Sequence, residues 1–214
     1  MLVYQPTLSK VLLIIQTVVV PLVALFYYPK VKNTYWKWLV FYLIFIAVQE
    51  LYFTYNNSIL TLPKTHYFAY IGIPIQFLFL FWLYAIKSLN NKAVFWVFSV
   101  LLIVTVLPIE WYSELKTVNS ITITLGSLLL MILVFLEFQK QIMNDDILEF
   151  KHKRMFYINL GVLLFYVGCV PFMGLYNFIK KEHSIWNSYY LYFVVSNCLL
   201  YVSYILSFVC GKKN

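Results

Sequence analysis

The chain has 214 residues, of which 63% are hydrophobic and only 11% charged, with a mean hydropathy of +0.80. Soluble domains carry about a quarter charged residues, so a water-soluble fold is excluded. The net charge of +8 does not point to nucleic acid, because the lysines form short clusters between apolar stretches, where they orient a membrane protein and meet anionic lipid.

Stretches of about twenty apolar residues are long enough to cross a ~30 Å hydrocarbon core, and they recur along the whole chain. The first, residues 8–28, is too long for a signal-peptide core and lacks a basic n-region and a cleavage site, so a retained first helix is expected. Pro21 should kink it, which bundle neighbours tolerate. A basic turn with Lys30, Lys32 and Lys37 leads to the second span, 38–55. Here an adjacent polar pair, Gln49-Glu50, is set into the apolar run, and Glu50 is the one acid clearly inside a span. A polar connection, 56–66, precedes the third span, 67–86, with Pro74 near its middle. The fourth, 93–109, and the fifth, 118–138, are the least secure in pattern; the fifth opens with Asn119, Ser120, Thr122 and Thr124. The longest connection, 139–154, leads to the sixth, 155–179, where Gly168 and Pro171 predict a bend. The seventh is 187–210.

The expected fold is an all-α membrane protein, a seven-transmembrane-helix bundle in a single integral membrane domain over residues 1–214. Seven spans put the termini on opposite sides. Of the 16 basic residues, only Lys10, Lys64, Lys116, Lys180 and Lys181 fall on the side of the N-terminus. The excess on the other side predicts an outside N-terminus and a cytoplasmic C-terminus. A three-plus-one-plus-three internal repeat of the transporter kind is not supported, since Pro21 and Pro74 have no counterparts in the fifth and seventh spans.

With that topology, a rise of ~1.5 Å per residue sets depth. Gln16, Glu50, Gln76 and Asn197 all fall roughly 10–15 Å from the outer face, on four different helices. A carboxylate at such depth must be paired, hydrated or protonated. Glu50, Thr54 and Asn57 share one face (i, i+4, i+7). In the seventh span Tyr190, Asn197, Tyr201 and Tyr204 share another, beside a row of Ser196, Ser203 and Ser207, which predicts a central place for this helix. The functional reading is an outward cavity with Glu50, Gln16, Gln76, Asn197 and Tyr201 as ligand-binding residues. The competing reading is that these groups bond one another and hold the bundle together.

No catalytic residue, metal ligand or cofactor site is expected. His66, His152 and His183 lie in predicted loops without companions at ligand spacing, and no catalytic or phosphate-binding motif is present. The seventh span has no lysine, which excludes a retinal Schiff base. The cysteines, Cys169, Cys198 and Cys210, give no disulfide framework. In the connection after the fifth span Phe138, Ile142 and Met143 recur at helical spacing. They are read either as a solvated helix extension or as a surface for a cytoplasmic or membrane protein partner.

The segments MFYINLGVLLFYVG (155–168), THYFAYIGIPIQFLFLFWLYAI (65–86) and YFVVSNCLLYVSYILSFVCGKK (192–213) resemble small seven-span proteins of Bacteroidota-type bacteria. That resemblance implies the fold and a location in the bacterial cytoplasmic membrane; it carries no functional residues. The expected function is that of a non-enzymatic, receptor-like sensor or accessory subunit. A small-solute or ion transporter or channel using Glu50 is the alternative, and a lipid-modifying intramembrane enzyme the third.

Overall fold

A computed structural model describes residues 4–55, 64–106, 120–143, 152–174 and 183–211. Among them the long elements are all helices, and no strand occurs. Helix α1 is built from α-helical Tyr4–Ile14, π-helical Ile15–Val19 and α-helical Val20–Val31. Helix α2 is Lys37–Tyr55. Helix α3 joins Lys64–Tyr67, a π segment Phe68–Gly72, Ile73–Phe81 and a second π segment Trp82–Ser88. Then come α4, Lys92–Val106; α5, Ser120–Met143; α6, Arg154–Gly174; and α7, His183–Cys210. Each falls on a predicted span. The ends differ: α1 continues through Pro29, and α5 continues past Phe138. Helices α1, α2, α3, α5 and α7 are long and apolar enough to cross a membrane, whereas α4 and the apolar part of α6 are shorter.

The distribution of polarity is that of a bundle in lipid. Phe26, Trp96, Ile121 and Ile132 are exposed, while Gln49, Ser127, Glu137 and Asn159 are buried. Water would drive the reverse arrangement. In hydrocarbon a polar side chain gains only by turning inward.

Two prolines explain the first two π segments. Proline cannot donate to the carbonyl four residues back, and its ring pushes against that carbonyl. The carbonyls concerned are those of Thr17 for Pro21 and Tyr70 for Pro74, each inside a π segment. The residue just before each proline then bonds five residues back, Val20 N–H to the Ile15 carbonyl and Ile73 N–H to the Phe68 carbonyl. The Thr17 hydroxyl also donates to the Leu13 carbonyl, at 2.6 Å. The expected irregularity therefore lies in α1 and α3. Helix α6 is α-helical through Gly168 and Pro171, and Gly168 serves packing: a Cβ there would come within 1.6 Å of the Tyr192 ring. Tyr192 crosses the gap and donates to the Leu164 carbonyl at 2.8 Å.

Two turns earlier on the same side of α6, Gly161 meets Ser203 of α7. A Cβ on Gly161 would lie 2.6 Å from the Ser203 Cβ and 3.2 Å from the Leu200 Cα. Small residues at such points let helix backbones approach closely. At the other side of the bundle α3 and α4 are joined by a tight turn. Asn90 takes φ 54, a left-handed conformation that asparagine tolerates. The Asn91 side chain then caps α4 by accepting from Val94 N–H at 3.1 Å,.

Gly161→Ala should lower thermal stability in detergent by about 1–3 kcal/mol through overpacking. Combined with Ser203→Gly it should cost less than the two single changes added together, the sign of direct contact. Strict additivity would place the helix contact elsewhere.

Candidate functional site

A cavity of about 620 Å³ opens at one end of the bundle. It is framed by the start of α1, the end of α2, the start of α3 and the first turns of α7. Gln16, Glu50, Gln76, Asn197 and Tyr201 all line it, so the predicted polar layer converges on one space. Gln16 sits in the π segment of α1 and Phe68 in that of α3. Both proline-widened turns thus contribute to the wall, as π segments often do at functional sites.

The Glu50 carboxylate lies 3.5 Å from the Lys64 ammonium, with side chains 23% and 49% exposed respectively. Lys64 also lies over the Phe68 ring, 5.6 Å from its centroid. The acid is therefore paired at the mouth rather than isolated in hydrocarbon. Across the mouth, the Ser9 and Tyr190 hydroxyls hydrogen-bond at 2.9 Å and tie α1 to α7. The Thr54 hydroxyl donates to the Glu50 carbonyl at 2.7 Å; Asn57, the last member of that predicted line, is outside the described residues.

Deeper in, the wall turns aromatic. Phe77 packs on Tyr166 with ring centroids 5.5 Å apart, and Phe165 on Phe193 at 5.6 Å. Tyr42, Tyr201 and Tyr204 close the floor; Tyr42 stacks on Phe79 at 4.1 Å. From Glu50 to Tyr42 is roughly 12 Å along α2. The site therefore offers a charged and amide-lined mouth above an apolar, aromatic body.

The neighbour of Glu50 has a different role. Gln49 is buried toward α3, its Oε1 close to Gly72. Neither end of its amide has a hydrogen-bond partner among the described residues, and the same holds for Asn159 of α6. The Tyr84 hydroxyl also lacks a partner there, while the Tyr204 hydroxyl stands against that of Tyr42, within hydrogen-bonding reach.

A second, smaller cavity of about 180 Å³ lies at the opposite end, between the α1–α2 turn, the end of α3, the end of α5 and the start of α6. Glu137, on α5, is 3% exposed there, more deeply buried than Glu50. Its carboxylate accepts from the Ser88 hydroxyl and, at 3.0 Å, from the Gln141 amide. Glu50 is thus not the only acid inside the bundle. Burial first and the Glu137 carboxylate second push the Tyr35 phenol above its ordinary value, with Arg154 acting against them.

Sequence reasoning missed Glu137 and Lys64, and both left signals. Glu137 stands three and four residues before Lys140 and Gln141, the spacing of helical partners. Lys64 opens the helix that follows the one carrying Glu50, and antiparallel neighbours bring such ends together. The partner residues sit on helix, not loop: α5 runs on to Met143, with Phe138 half-buried, Ile142 67% exposed and Met143 74% exposed. Residues 144–151 are outside the described residues. His66 lies in the first turn of α3, and among the described residues no three of His, Cys, Asp and Glu form a metal-binding group.

Comparison with family models, with curated proteins and with solved structures returns no match to this chain. Its function has to be argued from the two cavities.

Two stability measurements test the burial pattern. Gln49→Leu should leave stability unchanged or raise it, since an amide without partners contributes no bond. A loss above about 1 kcal/mol would show that the amide holds a water or ligand in the native state. Glu137→Leu should cost about 1–3 kcal/mol by stranding Ser88 and Gln141, and Glu137→Gln distinctly less.

Proposed function

We propose that this chain is a seven-span protein of the bacterial cytoplasmic membrane, N-terminus outside, that works without catalysis as a receptor-like sensor or accessory subunit. The observation that carries the reading is the convergence of Gln16, Glu50, Gln76, Asn197 and Tyr201 on one cavity of about 620 Å³. That is the size of ordinary small-molecule sites, roughly 300–1,000 Å³. The matching ligand is a small amphiphile: an amine head meeting Glu50 and the amides, and an apolar or aromatic body lying against Phe77, Phe165 and Phe193.

The orientation is supported by the gathering of Lys87, Lys140, Lys153 and Arg154 at one end of the bundle. The basic excess assigns that same end to the cytoplasm. Ile142 and Met143 project there from α5 as exposed apolar side chains, the surface through which a signal would pass to a protein partner.

Transport through the bundle with Glu50 as a proton or cation site is the second reading, and the embedded carboxylate is what favours it. The packing between the two cavities weighs against it. Leu80, Phe81, Leu130, Leu133 and Ile158 are all fully buried in that layer.

Reporter fusions at residue 214 should read cytoplasmic; an external signal would invert every depth assigned above. With 2-phenylethylamine as the probe, the wild type should gain thermal stability in detergent. Glu50→Gln should lose that gain while its own stability stays within about 1 kcal/mol, since half-exposed ion pairs contribute little. An undiminished gain in both Glu50→Gln and Glu50→Leu would remove Glu50 from the site. Cation uptake by liposomes holding only this protein would instead select the transport reading. Ile142→Asp with Met143→Asp should abolish co-purification of a partner without lowering stability.

A further inference from the structure

The small cavity at the inner end is the other place where the chain has assembled chemistry. Lys87, Lys140, Lys153 and Arg154 come to it from three helix ends, and among the described residues Glu137 is the one carboxylate that lines it. We infer that it is a binding site for a phosphate-bearing anion, a phosphate monoester or diester group. It is separate from the outer cavity and does not rest on what that cavity binds.

Four features support the assignment. The first is charge: among the described residues four cations and one acid line the cavity, and both oxygens of that acid are taken up by Ser88 and Gln141. Glu137 therefore serves as the anchor of the site. It is fixed by its neighbours and sits beside Lys140, whose ammonium donates to the Ser88 carbonyl.

The second is preorganisation. The Arg154 residue is only 6% exposed. Its guanidinium lies 5.7 Å from the centre of the Trp36 ring and donates to the Gly211 carbonyl at 3.2 Å. Trp36 beneath, and the end of α7 beside it, hold its planar donor group in one place. Guanidinium in a fixed orientation is the side chain suited to phosphate oxygens.

The third is the placement of Lys87, which is exposed and lies over the rings of Tyr35, 5.9 Å away, and Trp82, 5.4 Å away. Aromatic contact steers the ammonium toward the rim without consuming its charge on a carboxylate. The fourth is local backbone. Lys87 and Ser88 belong to the π segment Trp82–Ser88, so the third widened turn of the chain also opens onto a cavity.

Two sources carry this chemistry at the inner membrane face, an anionic phospholipid headgroup and free phosphate. Basic pockets between helices on the cytoplasmic side are suited to the former. The experiment uses the full chain, purified in a neutral detergent. Its melting temperature is followed against phosphatidylglycerol, against phosphatidylcholine, and against inorganic phosphate without lipid. The same series is run on Lys87→Gln/Lys140→Gln and on Lys32→Gln, an exposed lysine of the same end that does not line the cavity.

Stabilisation of the wild type and of Lys32→Gln by phosphatidylglycerol but not phosphatidylcholine supports a lipid headgroup. Stabilisation by inorganic phosphate alone supports a soluble anion. In either case the double variant should need roughly thirtyfold more ligand, the loss expected from two cations near an anionic group. Both rim lysines are exposed, so the double variant is expected to fold; its melting temperature without ligand checks this directly. The assignment is overturned if neither anion stabilises the wild type, as would follow if Asp145, Asp146 and Glu149 supplied the counter-charge. It is equally overturned if the double variant responds like Lys32→Gln, which would mean diffuse surface attraction and no site.

Discussion

The contact of Gly161 on α6 with Ser203 on α7 sets the rotation of the helix that lines more of the outer cavity than any other. Ser203 and Tyr204 are consecutive, so they lie about 100° apart around the axis. With the serine held against α6, the adjoining row of Tyr204, Tyr201, Asn197 and Tyr190 has one direction left, into the cavity. Tyr192, laid over Gly168 and bonded to the Leu164 carbonyl, fixes the same rotation two turns nearer the mouth. A larger residue at either glycine would push α7 away and misalign four site residues together. The site is thus specified by helix packing, to which the Ser9–Tyr190 bond and the Glu50–Lys64 pair add at the mouth.

A second constraint acts on α1 and α3. Pro21 and Pro74 remove a backbone bond at equivalent places, and in both helices the loss is absorbed by one wider turn. That turn carries Gln16 in one case and Phe68 in the other. In hydrocarbon an unsatisfied carbonyl is expensive, so the irregularity stays only because neighbouring groups absorb it, as the bond of Val20 N–H to the Ile15 carbonyl illustrates.

Much of this was legible in the sequence, for a definite reason. Hydropathy fixes where a helix lies in lipid, and the 3.6-residue period fixes which side chains share a face. These suffice to bring Gln16, Glu50, Gln76 and Asn197 to one depth and to line up the tyrosines of α7. They do not say which helix lies beside which. The pairing of Glu50 with Lys64, the burial of Glu137 against Ser88, and the use of Gly168 for packing rather than bending are all properties of neighbours. The π segments were hidden differently: a proline announces a disturbed turn, but whether it kinks the helix or widens it depends on what stands beside it. The reading of Phe138, Ile142 and Met143 as part of a connection stopped one turn early, because the polar residues after Phe138 resemble a loop in composition while keeping helical geometry.

The polar groups that lack partners are not scattered. Gln49 sits on α2 beside the mouth of the outer cavity, and Asn159 of α6 and Tyr84 of α3 lie below its floor. A bundle shaped for stability alone would place leucine or phenylalanine there, since each such group forfeits water without regaining a bond. Tyr84 lies within electrostatic reach of Tyr204 on one side and Glu137 on the other, so it stands between the two cavities. Dipoles in a layer this dry are weakly screened. The unpartnered polar groups of α3 and α6 therefore cost stability where they stand, in the layer between the two cavities, and packing alone does not account for them,.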